Sequence, residues 1–250
     1  MTHSPCSTLT TKTLTQADYQ ATYDAMYHQT MTRIAQKKQA EQNSDTAVIN
    51  PTDRLGDELW IVEHNNVYTL GQAGKEAHIL QRTNTPIIRT DRGGQVTWHG
   101  KGQLVIYWLF DLNALGWGVR NLVSHAEQAI EDVVNYYVQD NGYIACARKD
   151  APGVYLYTQK ADGSADTENM LGKIASLGFK IKHGMSYHGI ALNLDCDLTA
   201  FSYINPCGYA GMNMCRLADF TDLTHEDMAT VTQRLVDNIR ARHQGMIALR

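Results

Sequence analysis

Gln103–Asp140 reads QLVIYWLFDLNALGWGVRNLVSHAEQAIEDVVNYYVQD, and its two halves decide the fold class. Leu104–Phe110 is apolar nearly throughout and lacks the alternation of a half-buried strand, so it predicts a central strand buried on both faces. Gly118–Asp140 instead repeats apolar residues at helical spacing. Val119, Leu122, Val123, Ala126, Ile130, Val133, Val134 and Tyr137 share one stripe, and Gly142 stands where a left-handed cap would close the helix. A buried strand followed by an amphipathic helix points to an α/β domain.

Strand signals surround this unit. Upstream, Glu58–His64, Val67–Leu70, Pro86–Thr90 and Gln95–His99 read as strands separated by glycines. Downstream, Ile144–Ala147, Gly153–Tyr157, Lys173–Lys182 and Ile190–Leu194 do the same. Residues 15–38 read as a helix, with Tyr19, Tyr23, Met26, Tyr27 and Ile34 on one face and Thr15 and Asp18 as a capping box. Thr224–His243 reads as another, with Met228, Val231, Leu235 and Ile239 inward and Thr224 and Asp227 as its capping box. The polar stretch 39–57 is expected to be a long surface loop, and KADGSADTENMLG (160–172) an exposed, mobile insertion. No repeat and no long linker divides the chain, which is expected to be one domain over 1–250.

Composition narrows the function. Hydrophobic residues make up 43% and charged residues 19%, as in ordinary globular proteins. A net charge of −4 gives no global attraction to nucleic acid or to anionic membranes. No apolar run approaches the roughly 18 residues of a spanning helix, and the N-terminus lacks the apolar segment of a secretory signal. Cys6, Cys146, Cys196, Cys207 and Cys215 are odd in number and scattered, which suits free thiols in a reducing, cytoplasmic setting. Ten histidines come without an H-E-x-x-H or CxxC pattern, so neither a metal nor another cofactor is expected.

Four segments could carry chemistry. In Asp91–Gln103, DRGGQVTWHGKGQ, glycines let the backbone pass close to a ligand while Arg92, Thr97 and His99 supply polar groups; a tight hairpin explains the spacing equally well. In Gly172–Gly178, Lys173 opens a strand of small and apolar residues, where a lysine is usually just solvated. In His188–Asn193, a polar pair flanks an apolar strand, and both side chains could simply satisfy backbone groups. In Ile204–Gly211, Cys207 lies between proline and glycine. Such a turn holds a thiol outside any packed apolar run and favours reactivity.

Together with APGVY (151–155), the stretches DRGGQVTWHGKGQ, KIASLG (173–178), HGIALN (188–193) and INPCGYAG (204–211) resemble the octanoyltransferases of lipoate biosynthesis, and they occur in that family's order. The resemblance covers about the central half of the chain, from Gly71 to Gly211. It implies the fold of lipoate and biotin protein ligases, a mixed and mostly antiparallel sheet packed with helices, with its core over about 45–243. It also implies transfer of an octanoyl group from acyl carrier protein to an enzyme cysteine. From there the group passes to a lysine of a lipoyl domain, such as that of a 2-oxoacid dehydrogenase or the glycine cleavage H protein. Cys207 matches the thioester cysteine and Lys173 the lysine that lowers its pKa. Arg92, Gly93, Gly94, Gln95, Val96, Thr97, Trp98, His99, Ser176, Leu177, Gly178, Gly189, Ile190 and Ala191 match the substrate-lining segments. Two departures stand out: Trp98 and Lys101 replace the family's usual Tyr and Pro, and the insertion before Lys173 is longer than usual.

The chemistry suits these residues. An ordinary thiol with a pKa near 8.5 is only a few per cent ionised at neutral pH, and a nearby ammonium favours the thiolate nucleophile. Acylation removes that negative charge, so Lys173 would then release its proton more readily and serve as base toward the acceptor amine. Three alternatives compete: an ATP-dependent lipoate or biotin ligase of the same fold, a cysteine hydrolase using His99 or His188, and a non-catalytic carrier-binding module.

Overall fold

Gln103–Leu109 is buried at every position and forms an interior strand of the larger sheet, paired on both sides. In this computed structural model, which describes residues 8–42, 56–223 and 225–250, ten strands and four α-helices follow in chain order. They are β1 Leu9–Ala17, α1 Tyr19–Gln42, β2 Asp57–His64, β3 Val67–Leu70, β4 Ile87–Arg89, β5 Val96–His99, β6 Gln103–Leu109, α2 Leu112–Leu115, α3 Val119–Val138, β7 Tyr143–Ala147, β8 Val154–Gln159, β9 Ala165–Lys182, β10 Met185–Asn193 and α4 His225–His243.

The strands make a seven-stranded sheet in the order β1-β2-β6-β10-β9-β8-β7 and a three-stranded sheet in the order β4-β3-β5. Pairing is antiparallel except for β1 with β2 and β3 with β4. Alternate β6 side chains serve two cores. Leu104, Ile106 and Trp108 pack with α3 and α4 residues such as Leu122, Ile130, Val231 and Leu235. Val105, Tyr107 and Leu109 pack with Met26 of α1. Two apolar faces are why the strand shows no alternation.

This is the α/β architecture expected, with four differences. The strands divide between two sheets. β1 precedes α1, where the sequence suggested the start of a helix, and α1 runs on to Gln42, into the stretch expected to be a loop; Asp18 rather than Thr15 caps that helix through Ala21 N–H at 2.8 Å. Residues 160–172 do not form an irregular insertion: β8 runs to Gln159 and β9 begins at Ala165, so most of the segment is a hairpin arm. Val119 opens the α3 stripe but is 55% exposed. Gly142 adopts φ 82°, as a left-handed cap requires. Most of the loop 39–57 and the capping pair Thr224 and Asp227 fall outside the described residues and side chains.

A buried ionic cluster ties the layers together. The Asp57 carboxylate of β2 accepts from Arg33 of α1, from His243 of α4 at 2.8 Å and from the Asp111 N–H at 2.8 Å.

Candidate active site

The chain before Cys207 is pinned to the loop at 78–79: Ile204 bridges Ile79, and Asn205 N–H donates to His78 O at 2.8 Å. Pro206–Gly208 then makes one tight turn, closed by Tyr209 N–H to Pro206 O at 3.1 Å. Within it Cys207 takes φ 57°, a left-handed conformation that costs an ordinary side chain about 1–2 kcal/mol. Held this way, the thiol is half-buried.

The chain after the turn returns alongside β9. Lys173 N–H donates to Asn213 O at 2.8 Å, and Cys215 N–H donates to Lys173 O at 3.1 Å. This clamp sets Lys173 opposite the thiol despite their separation in sequence. Its Nζ stands 3.1 Å from Cys207 Sγ, 2.8 Å from Pro152 O and 5.2 Å from the centroid of the Tyr155 ring. Only 2% of Lys173 is exposed, and none of these partners is a carboxylate. A buried cation gains from a compensating anion, which this thiol supplies on ionisation.

The dyad opens on a mainly apolar cavity of about 360 Å³, a size ordinary for small-molecule sites. Arg92, Gly93, Gly94, Gln95, Val96, Thr97 and His99 line it from the small-sheet side, and Ser176, Leu177, Gly178, Gly189, Ile190 and Ala191 from β9 and β10. Trp98 does not line it. Alternation along β5 turns Trp98 to the opposite face, where it packs against Phe201 at 5.5 Å between ring centroids. Arg92 reaches the wall, yet its guanidinium is bound to its own loop and to β3, donating to Gly93 O, Thr69 O, Thr69 Oγ1 and Gln95 O. Gly189 marks a close approach between strands, since a Cβ there would lie 1.9 Å from Ile106 O of β6.

The cavity also uses residues outside the substrate-lining set that the resemblance implies. Tyr19, Tyr107 and His188 form a polar wall, Phe179 and Ile181 an apolar one, and the half-exposed Val119 and Tyr209 lie at its rim. Tyr107 had a legible signal: a tyrosine in a strand buried on both faces must find a hydroxyl partner, here His64 Nε2 at 2.7 Å. Val119 had one too, as the stripe residue at the open end of a helix.

Neither candidate histidine is a hydrogen-bond partner of the thiol. His99 Nδ1 meets Gln103 Oε1 at 2.7 Å, and Gln103 continues to Asn193 Oδ1 at 2.9 Å. Burial, with the nearby His64 and Arg92, pushes His99 down to about 3. His188 Nε2 meets Asp91 Oδ1 at 2.9 Å and is also pushed down by burial. Two main-chain N–H groups near the thiol are already engaged, Gly93 with Phe179 O and Gly208 with Asn205 O. Among the described residues there is no cluster of metal-ligating side chains, and no helix is long and apolar enough to cross a membrane.

Comparison with known proteins identifies the family. Residues 25–240 match the lipoyl protein ligase A/B catalytic domain. An octanoyltransferase of Psychrobacter cryohalolentis is 58% identical over 97% of this chain and 93% of its own length. Among solved structures, P. falciparum LipL1 in complex with lipoate superposes with a TM-score of 0.62 at 9% identity, covering 96% of this chain and 62% of that one. A bipartite lipoate protein ligase from Thermoplasma acidophilum gives 0.55 at 11% identity, covering 96% of this chain and 86% of that one. At such identities the structural likeness speaks for the fold alone.

Proposed function

The chain belongs to the lipoyl protein ligase A/B catalytic-domain family and, within it, to the octanoyltransferases; on that premise we propose that Cys207 carries the octanoyl group as a thioester between its donor and its acceptor. The enzyme is an acyltransferase of protein lipoylation. The observation that carries the thioester reading is the 3.1 Å contact between Lys173 Nζ and Cys207 Sγ in the wall of an apolar cavity.

The Cys207 thiolate attacks the octanoyl carbonyl of the acyl carrier protein thioester. The tetrahedral intermediate collapses with loss of the carrier thiolate, which takes a proton from Lys173. Sulfur is now uncharged, and Lys173 is left neutral in a buried site that disfavours a lone cation. The acceptor amine of the lipoyl domain attacks the Cys207 thioester and passes its proton to Lys173. The Cys207 thiolate leaves, an amide has formed, and the ion pair is restored. The chain itself is held by apolar contact: about six methylenes at roughly 0.8 kcal/mol each contribute on the order of 5 kcal/mol before entropic costs. The reading takes the chain as one catalytic domain working in the cytoplasm, with lipoyl domains of 2-oxoacid dehydrogenases or the glycine cleavage H protein as acceptors. It requires no cofactor.

Intact-mass analysis after mixing with octanoyl acyl carrier protein tests it. The wild type should gain one octanoyl group and C207S none. Acylation that persists in C207S would overturn the thioester role.

A further inference from the structure

Lys173 holds the thiol, and one peptide plane holds Lys173. The carbonyl of the Pro152–Gly153 peptide accepts from Lys173 Nζ at 2.8 Å. The N–H of the same peptide donates to Glu127 Oε1 at 3.0 Å. Gly153 is at φ 135°, and a Cβ there would lie 2.5 Å from Lys173 Cε, so the plane is set in a conformation open to glycine and pressed against the lysine stem. Glu127 lies on α3, one and two turns beyond Val123 and Val119 at the cavity. It belongs to none of the motifs that mark the site.

We propose that Glu127 is a positioning residue for the transfer reaction: its carboxylate fixes and polarises the Pro152–Gly153 peptide, whose carbonyl in turn holds the Lys173 ammonium against Cys207. The order carboxylate, peptide, ammonium, sulfur is a chain of hydrogen bonds in which each link strengthens the next. Without Glu127 the peptide N–H is left unsatisfied in a part-buried site, and its plane is free to rotate the carbonyl away from Nζ. Burial pushes the Glu127 carboxyl up; the Gly153 N–H pulls it back, the Glu131 charge adds to the rise, and the Lys173 charge opposes it.

The proposal rests on Cys207 and Lys173 acting as a pair, so its test reads the thiol without any acyl substrate. The rate of Cys207 alkylation by iodoacetamide at neutral pH is followed by peptide mass in the full chain, alongside thermal melting. E127M has similar bulk but no acceptor. E127D keeps the charge but withdraws it by one methylene. Both should react about tenfold more slowly than wild type, whereas E127Q, which keeps a carbonyl oxygen in place, should stay within about twofold. A merely structural role would make the rates follow the melting temperatures. The proposal is overturned if E127D reacts at the wild-type rate, if E127Q is as slow as E127D, or if the slowing follows the melting temperature. None of those results bears on whether octanoyl transfer runs through Cys207.

Discussion

Replacing Gly153 with alanine should separate the position of the Lys173 ammonium from everything else in the site. The new Cβ would lie 2.5 Å from Lys173 Cε, 2.7 Å from Nζ and 2.8 Å from Ala175 O. Non-bonded carbons settle near 3.5–4.0 Å, so the lysine end must retreat by about 1 Å. At an effective dielectric constant of about 20, a unit charge pair attracts by ~5.4 kcal/mol at the native 3.1 Å and by ~4.0 kcal/mol at about 4.1 Å. The difference, ~1.3 kcal/mol, corresponds to about a tenfold slower attack by the sulfur. The backbone suffers independently, because φ 135° is a glycine conformation and holding alanine there costs about 1–3 kcal/mol. At about 2–4 °C per kcal/mol for a chain of this size, melting should fall by roughly 2–12 °C. The assay pairs the neutral-pH alkylation rate of Cys207 with a thermal melt. Tenfold slower alkylation with a lower melting temperature is expected. A lower melting temperature with an unchanged alkylation rate would refute the reasoning, since the ammonium would then have moved without consequence for the thiol.

Removing the charge altogether should reach further. K173M is expected to slow self-acylation and also the transfer from preformed octanoyl-enzyme to a lipoyl domain, each by about a hundredfold or more; full-rate transfer in the second step would remove Lys173 as the base. Asp57 should govern acid stability. Burial alone would raise its carboxyl, but the His243 hydrogen bond, the Arg33 charge and the Asp111 N–H together hold it below the ordinary value. Its folded value thus lies below the unfolded value of about 3.9, so its contribution is complete above that pH and disappears as pH falls through the lower folded value. D57N should therefore be less stable than wild type by about 3 kcal/mol at pH 7, with the gap narrowing on acidification below about pH 4. Urea unfolding at both pH values checks this, and a gap independent of pH would be the wrong outcome.

What was legible in the chain and what was not follows from how each residue's surroundings are made. β6 and α3 declared themselves because burial on two faces, or on one helical stripe, writes a repeating pattern into consecutive residues. β1 did not: it is an edge strand, largely exposed, and its threonines share the polarity of the segment before it. Its β-branched content was the available signal. The hairpin at 160–172 was hidden for the same reason, since exposed strand arms need no apolar alternation. Trp98 was carried into the site by its neighbours, and only the pleat of β5 turns it away. Cys207 and Lys173 could be singled out one by one, but their contact depends on the 213–215 segment crossing beside β9, a long-range pairing with no local trace. Glu127 lies at the far end of this scale. It meets the site through a main-chain N–H, a group that every residue but proline carries, so no side-chain pattern could announce its partner. A motif records which side chains a reaction needs; the peptide planes that aim those side chains are set by the fold, and Glu127 becomes visible only when the donors and acceptors of each plane are traced.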